Sequence, residues 1–368
     1  MSDTLLLGTR KGLMMLREQG GAWRVVCHEY VGVPVSYAGL DPRNDRLWAA
    51  ADHGHWGIKL YRSDDTGNNW EEVPAPQYPE GEIAHRFPGD TSGDKAATLS
   101  YVWTVIPGAA DRPERLYVGT EPGGLFQSDD GGDSWQLVRG LWDHPSRADH
   151  WFGGGRDYPG LCALVIDPRD SRHMYADISV GGVFETFDDG QTWEPRNRGL
   201  KACYLPNPDA EVGHDPHMLV TSAANPDVLW QQNHCGIFRS VDGARSWQDI
   251  SEEGGPAFFG FAIAADDNDE NVAWVVPAIS DEIRMAIDGA LCVCRTDDGG
   301  QTWIDFREGL PQQNCFDVVY RHALDLRGDN LVFGTTSGNL FISTDRGESW
   351  RTIANYLPPI YSARFIDT

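Results

Sequence analysis

Thr296-Asp297-Asp298-Gly299-Gly300-Gln301-Thr302-Trp303 is the stretch of sequence that decides the fold, because turns of this pattern occur six times along the chain. The common form is Ser or Thr, any residue, Asp, any residue, Gly, any residue, Ser or Thr, and Trp. In such a turn the Asp carboxylate accepts hydrogen bonds from nearby backbone N–H groups, and Gly allows unusual backbone angles. The Trp adds a large apolar side chain. The other copies are 63–70, 128–135, 186–193, 240–247 and 343–350.

A second repeated phrase precedes the turns and is typical of a short strand followed by a turn. It reads Leu116-Tyr117-Val118-Gly119-Thr120-Glu121-Pro122-Gly123 in one copy, and it occurs seven times. A strand before the phrase, as at 161–166, and strands on both sides of the repeated turn complete four strands per repeat. The tryptophans that close the repeats are 47 to 65 residues apart. This spacing fits four-stranded blades with loops of different length.

The sequence therefore predicts an all-β protein, a single seven-bladed β-propeller that spans residues 1–368. The first repeat lacks a strand at its beginning, where the innermost strand of the blade should lie. The apolar segment 360–367 near the other end is expected to supply that strand and close the ring. Closure of this kind removes exposed sheet edges.

On the repeated turns, the chain resembles the Asp-box, or bacterial neuraminidase repeat, β-propeller superfamily. That superfamily includes sialidases, xyloglucanases with two propellers, sortilin-type receptors and photosystem II assembly factors, so the resemblance implies a fold more directly than a reaction. A sialidase-like or glycosyl hydrolase-like site would use three arginines for a carboxylate, a Tyr–Glu pair and an Asp acid/base. The Arg-Ile-Pro triplet that usually marks the first arginine is absent, so these roles are not transferred residue by residue.

Composition restricts the partners and the location that we expect. The chain has 30 Lys and Arg residues against 55 Asp and Glu residues, a net charge of −25, which argues against nucleic-acid and anionic membrane binding. No secretion signal or membrane span is visible, and the seven cysteines are expected to be reduced, buried thiols. These features predict a cytoplasmic protein. They do not indicate its oligomeric state.

Candidate functional residues lie in the connections between blades and in the loops between the second and third strands. Both kinds of connection belong to one face of the propeller, and they vary in length, as functional loops on a repetitive scaffold do. Eight of the 11 histidines fall there. The candidate catalytic residues are His150, His214, Asp215, His217 and His234. The candidate substrate-binding residues are Arg10, Arg86, Arg156 and Arg321 for an anion, and Trp56, Trp151 and Tyr158 for a sugar ring.

The histidines allow three interpretations that the sequence leaves open. His150, His214, His217 and His234 could hold one divalent transition metal, Zn or Mn, since His is the commonest metal ligand. They could instead act as metal-free acids and bases, or serve only to hold the loops. The hypothesis is a hydrolase or a lyase that acts on a small anionic or sugar-like substrate at this face. The alternative is a non-catalytic propeller that binds a protein or ligand partner.

Overall fold

Seven four-stranded antiparallel sheets form the computed structural model, which describes residues 3–89 and 91–366. The innermost strands of successive sheets contact one another, and the last sheet contacts the first through the closing strand. The sheets are therefore the blades of a ring, and the predicted seven-bladed β-propeller is confirmed. Each blade is packed between two neighbours, which explains why all six residues of the strand Thr4–Thr9 are buried.

The strands are numbered in chain order. Blades one to three and a two-stranded hairpin are formed by β1 Thr4–Thr9, β2 Gly12–Gln19, β3 Ala22–Glu29, β4 Val35–Asp41, β5 Arg46–Asp52, β6 Ile58–Ser63, β7 Glu71–Val73, β8 Ile83–Ala84, β9 Lys95–Ala96, β10 Tyr101–Pro107, β11 Leu116–Glu121, β12 Leu125–Ser128 and β13 Gln136–Leu137. Blades four and five are formed by β14 Gly160–Ile166, β15 Met174–Ser179, β16 Gly182–Thr186, β17 Glu194–Pro195, β18 Pro216–Ser222, β19 Asn225–Asn233, β20 Gly236–Ser240 and β21 Gln248–Asp249. Blades six and seven and the closing strand are formed by β22 Gly260–Ala265, β23 Ala273–Pro277, β24 Val293–Thr296, β25 Ile304–Phe306, β26 Leu324–Arg327, β27 Asn330–Gly334, β28 Leu340–Ser343, β29 Arg351–Ala354 and β30 Ile360–Phe365.

Helical structure is short and lies in the connections. The helices α1 Arg139–Trp142 and α2 Ser146–His150 link blades three and four, and single 3-10 turns occur at Gly54–Trp56, Thr91–Gly93 and Ile287–Gly289. Within the described ranges, no helix has the length and apolar character that a membrane span requires.

The closing strand β30 is the innermost strand of blade one. It pairs antiparallel with β1, with Leu5 opposite Phe365 and Leu7 opposite Ala363. The Ser362 hydroxyl accepts hydrogen bonds from the Gly8 and Ala38 backbone N–H groups, which joins blade one to blade two. The expectation that the segment 360–367 closes the ring is therefore confirmed for Ile360–Phe365, and residue 367 lies outside the described residues.

The six repeated turns share one set of hydrogen bonds. In the copy at 296–303, Asp298 accepts from the Thr302 backbone N–H at 2.9 Å, from the Thr302 hydroxyl at 2.7 Å and from the Thr296 hydroxyl at 2.9 Å. These donors outweigh the effect of burial and hold the pKa of Asp298 below its ordinary value. Two copies depart from the pattern: the Asn69 amide replaces the hydroxyl at 63–70 and donates to Asp65, and Ala244 takes the place of the glycine at 240–247 with a φ of 60°.

The cysteines differ in part from the expectation. All seven are free thiols, but only Cys162, Cys292, Cys294 and Cys315 are buried. Cys203 is exposed, and its sulfur lies 3.1 Å from the sulfur of the half-buried Cys235. The predicted cytoplasmic location stays a prediction.

Candidate functional site

The face of the propeller that carries the blade-to-blade connections, here called the loop face, contains a pocket of about 410 Å³ at the mouth of the ring. The starts of innermost strands supply its floor, and loops supply its wall. We call it the central pocket, and its lining residues are Arg10, Pro34, Ser36, Asp52, Tyr101, Trp103, Arg156, Tyr320, Arg321, His322 and Tyr361. Five of the seven blades or their connections therefore meet at one cavity.

Positive charge is concentrated in the central pocket of a strongly acidic chain. Arg10, Arg156 and Arg321 line it, and Asp52 is the one carboxylate among its described lining residues, whereas the whole chain has a net charge of −25. Arg156 forms an ion pair with the buried Glu121 behind the wall. Three guanidinium groups in a concave, partly desolvated site favour an anionic ligand, since arginine matches the geometry of a carboxylate.

Aromatic rings hold two of the arginines in place. The guanidinium carbon of Arg156 lies 4.2 Å from the centroid of the Tyr101 ring, and that of Arg321 lies 4.8 Å from the centroid of the Trp103 ring. Both distances are within the range of cation–π contacts. The Nε atom of Arg321 is buried and has no hydrogen-bond partner in residues 3–89 and 91–366. A buried donor without a partner is costly, so an acceptor that reached this N–H would gain a favourable hydrogen bond.

A second group of functional side chains lies beside the pocket, on blade five. Oδ2 of Asp215 is 3.5 Å from Nε2 of His217 and 3.4 Å from Nδ1 of His234. The three ligand atoms of this group, here called the Asp215 cluster, lie within 4.8 Å of one another. Asp215 is at the end of the connection that precedes β18, His217 is on β18, and His234 follows β19. The short interval between His217 and His234 in space results from the pairing of these two strands.

A small cavity of about 50 Å³ adjoins the central pocket and reaches Ser179, next to the Asp215 cluster. It is lined by Trp103, Arg156 and Arg321, which also line the central pocket, and by Ser179, whose hydroxyl donates to Oδ1 of Asp215 at 2.7 Å. Burial opposes ionisation of Asp215, but the protonated forms of His217 and His234, together with the charge of Arg321, hold its pKa well below the ordinary value. The cluster and the pocket therefore belong to one electrostatic environment.

Two of the four histidines predicted to share a site are not in the cluster. His214 is buried, and its Nε2 atom lies 2.6 Å from the Ala210 carbonyl oxygen, within its own connection. His150 is exposed at the end of α2. The predicted set of four histidines is therefore corrected to His217 and His234, joined by Asp215. The reason is local: His214 is bound within its own connection, and His150 lies at the exposed end of α2.

Several predicted substrate-binding residues also lie elsewhere. Trp151 is fully buried in the core, where its indole N–H donates to Ser146, and Trp56 is 77% exposed over a separate surface depression beside β7. Arg86 forms an exposed ion pair with Asp157. Tyr158 lines the small cavity, with its hydroxyl donating to the Gly93 carbonyl. Of the predicted set, Arg10, Arg156 and Arg321 line the central pocket.

Sequence reasoning missed part of the pocket. Tyr101 and Tyr320 were not among the candidates, and neither was His322, whose pKa is lowered to about 3, first by burial and then by nearby arginines. Tyr101 starts β10, and Tyr320 precedes β26. Since the beginning of every innermost strand faces the mouth of the ring, polar and aromatic residues at these starts were the available signal.

Comparisons with known proteins agree with this architecture: the chain is a seven-bladed β-propeller that resembles glycoside hydrolase-like propellers. No family model matches the sequence. An oligoxyloglucan-reducing end-specific xyloglucanase of Emericella nidulans is 26% identical over 218 residues, which are 55% of this chain and 24% of that enzyme. The matched segment thus spans about a quarter of this relative's length.

Solved structures share the fold at low sequence identity. The GH74 enzyme of Niastella koreensis has a TM-score of 0.61 and 16% identity, over 95% of this chain and 52% of that one. The periplasmic gluconolactonase of Pseudomonas aeruginosa has a TM-score of 0.54 and 14% identity, over 99% of both chains. YCF48 bound to the D1 peptide has a TM-score of 0.53 and 16% identity, over 93% of both. The chain thus spans about half of the GH74 enzyme but nearly the full length of the other two proteins.

Proposed function

We propose that the protein is a glycoside hydrolase-like β-propeller that binds a small carboxylate-bearing sugar in the central pocket and cleaves its glycosidic bond. The observation that carries the proposal is the convergence of Arg10, Arg156 and Arg321 on one pocket in a chain of net charge −25. The arginines would bind the carboxylate through paired N–H groups. The six repeated turns support assignment to the Asp-box superfamily, and the similarity to a xyloglucanase supports chemistry on sugars.

The dimensions and surface of the pocket suit a ligand of this kind. Its volume of about 410 Å³ is in the range of small-molecule sites, about 300 to 1,000 Å³. Tyr101, Trp103, Tyr320 and Tyr361 provide aromatic surface, against which the apolar face of a sugar ring can pack. The arginines would fix the acidic end of the ligand, while the rings hold its body.

The pocket also offers groups for glycosidic bond cleavage. The Asp52 carboxylate accepts a hydrogen bond from the Gly54 backbone N–H at 2.8 Å, which fixes its position at the rim. We assign Asp52 as the general acid that protonates the leaving oxygen. We assign Tyr361 as the nucleophile, by analogy with the tyrosine of sialidases: its oxygen attacks the anomeric carbon, its proton passes to water, and the leaving oxygen departs with the proton of Asp52. A water molecule deprotonated by the Asp52 carboxylate then hydrolyses the glycosyl–tyrosine bond, which frees Tyr361 and restores the acid. Burial raises the pKa of Tyr361 above its ordinary value, so the phenol is protonated before attack, and the charge of Arg10 offsets only part of that rise.

Calorimetric titration tests the binding step. Glucuronate, galacturonate and N-acetylneuraminate are the anionic probes, and glucose and galactose are the neutral controls. We expect at least one acid to bind about tenfold more tightly than its neutral counterpart, since a charged hydrogen bond contributes on the order of 1.5–3 kcal/mol. Arg10→Gln should remove that preference. Equal affinity for acids and neutral sugars would contradict the proposal.

Hydrolysis of fluorogenic glycosides of the acid that binds tests the chemical step. Asp52→Asn should lower kcat by about 10²- to 10⁴-fold, the usual contribution of a general acid. Its KM should change little, because the amide oxygen can still accept the Gly54 N–H. If sugar acids bind but no glycoside is hydrolysed, the proposed catalytic step is contradicted, and the protein is a sugar-acid binding protein.

A non-catalytic propeller that binds a peptide is the second candidate. The likeness to YCF48 bound to the D1 peptide favours it, because that protein matches a single ring over 93% of both chains. The pocket arginines would then bind a peptide's carboxylates. Binding of a short acidic peptide, together with no binding of the sugar acids, would favour this candidate over the hydrolase.

A further inference from the structure

We propose that Asp215, His217 and His234 form a binding site for one divalent transition-metal ion beside the central pocket. The proposal goes beyond the hydrolase proposed above and does not depend on it, since none of these three residues lines the central pocket. It also replaces the ligand set expected from sequence, because it excludes His150 and His214 and adds a carboxylate.

The distances within the cluster suit shared coordination better than direct hydrogen bonds. Oδ2 of Asp215 lies 3.4 Å from Nδ1 of His234 and 3.5 Å from Nε2 of His217. Charge-assisted hydrogen bonds are shorter, at about 2.7–2.9 Å. Two ligand atoms that each lie about 2.0–2.1 Å from a tetrahedral ion are separated by roughly 3.3 Å. Both measured intervals are close to that separation.

The tautomer of His217 gives a second, independent argument. Its Nδ1 atom lies 2.6 Å from the Gly260 carbonyl oxygen, so Nδ1 must carry a proton and donate. In the neutral ring, the lone pair of Nε2 then faces the carboxylate of Asp215. Two hydrogen-bond acceptors that face each other in a buried site need a cation or a proton donor between them. A metal ion at the cluster would bind to both Nε2 of His217 and the Asp215 carboxylate.

Hydrogen bonds with surrounding residues hold two of the three ligands, Asp215 and His217, and a carboxylate lies near the third. Oδ1 of Asp215 accepts from the Ser179 hydroxyl at 2.7 Å and from the Val180 backbone N–H at 3.2 Å, which leaves Oδ2 free for an ion. Nε2 of His234, the nitrogen that faces away from the cluster, lies 3.8 Å from Oδ2 of Asp281. A carboxylate or a carbonyl behind each metal-bound histidine is a common feature of such sites.

The chemistry of the ligands selects the class of ion. Two imidazole nitrogens and one carboxylate oxygen suit Zn²⁺, Fe²⁺ or Mn²⁺, whereas Ca²⁺ and Mg²⁺ prefer oxygen ligands. Three protein ligands also leave at least one coordination position for water or substrate. The side chain of His234 is 23% exposed, compared with 3% for that of His217, so His234 gives the ion a route of entry.

The test measures metal binding by the whole protein, prepared without a polyhistidine tag and stripped with a chelator. Equilibrium dialysis against Zn²⁺ or Mn²⁺, followed by elemental mass spectrometry, should give one ion per chain for the wild type. His234→Ala should bind at least a hundredfold more weakly. His150→Ala is the matched control, because it removes an exposed histidine of the same face, and it should bind like the wild type.

Two further measurements guard against a variant that misfolds. Asp281→Asn removes an exposed charge 3.8 Å from Nε2 of His234, and it should weaken metal binding by up to about tenfold. Co²⁺ bound to the wild type should show visible absorption of a tetrahedral or five-coordinate site, and His234→Ala should lose it while its thermal unfolding in chelator stays unchanged. No stoichiometric binding by the wild type, or equal loss in His150→Ala, overturns the proposal. Sugar-acid binding by the stripped protein stays measurable in either case.

Discussion

The guanidinium group of Arg321 stacks over the indole of Trp103, with 4.8 Å between the guanidinium carbon and the ring centroid. Lysine in this position would keep the positive charge but lose the planar stack and the paired N–H groups. We therefore expect Arg321→Lys to weaken binding of the preferred sugar acid by about tenfold, an effect on the order of 1–2 kcal/mol. Titration calorimetry measures the change. Arg351→Lys, at an exposed position of blade seven, is the matched control and should bind like the wild type.

Removal of the closing strand should destabilise the entire ring. A chain that ends at Leu357 loses β30, including the buried Ile360, Ala363 and Phe365, and it exposes the inner edge of β1. Burial of a large apolar side chain contributes about 1.5–3 kcal/mol, so we expect the melting temperature to fall by more than about 10 °C. Calorimetry checks this. Tyr356→Ser, at a side chain that is 98% exposed, is the control, and an unchanged melting temperature of the truncated chain would rule out closure by β30.

The carboxylate in a repeated turn should stabilise its blade measurably. Asp298→Ala removes the acceptor of the exposed Thr302 backbone N–H and hydroxyl, which should lower the free energy of unfolding by about 0.5–1.5 kcal/mol. Urea denaturation measures the change. Asp267→Ala removes an exposed carboxylate from another turn and should have little effect. If the two variants were equally stable, the turn hydrogen bonds would not be what stabilises the repeat.

A buried histidine on the face opposite to the site should make stability depend on pH. Burial disfavours the charged form of His173, but the carboxylates of Glu185 and Asp167, each within 2.9 Å of a ring nitrogen, outweigh it and raise its pKa. A raised folded-state pKa means that the stabilisation is complete below the ordinary value, about 6.5, and is lost as pH rises through the folded-state value.

We therefore expect the urea midpoint of the wild type to fall between pH 6 and pH 9 by more than that of His173→Gln. The exposed His55 is the control position, and His55→Gln should follow the wild type. Parallel curves for the wild type and His173→Gln would show that the ion pairs of His173 do not set this dependence.

The fold could be predicted from the sequence because the information is repeated. Each of the six turns and seven strand phrases indicates a blade of the same four-stranded kind. An irregular copy, such as that with Ala244, therefore does not change the result. Ring closure was predictable for a similar reason, since one strand was lacking at the beginning and a spare strand was present near the end. The residues of the repeated pattern form hydrogen bonds within their own turn, so the local sequence determines the local structure directly.

The site could be predicted only in part, because long connections have no repeat to place them. Arg10, Arg156 and Arg321 were predicted and line the pocket, whereas Trp151 is core and His214 turns toward Ala210. The orientation of these side chains depends on packing within each connection, which sequence spacing does not reveal. Residues on or next to strands, such as His217, were placed more reliably than residues inside the connections.

The contrast between the acidic chain and its cationic pocket has a consequence for kinetics. At a distance, an anionic ligand experiences the net charge of −25, and it experiences Arg10, Arg156 and Arg321 only when it is near the pocket. Dissolved salt screens the distant repulsion, over about 8–10 Å at physiological ionic strength, more strongly than the close contacts. The association rate of such a ligand would therefore increase as salt is added, opposite to the behaviour of an enzyme that attracts its ligand from afar. An acidic exterior of this kind slows the approach of all anions of the same charge alike, so discrimination among them depends on contacts within the pocket.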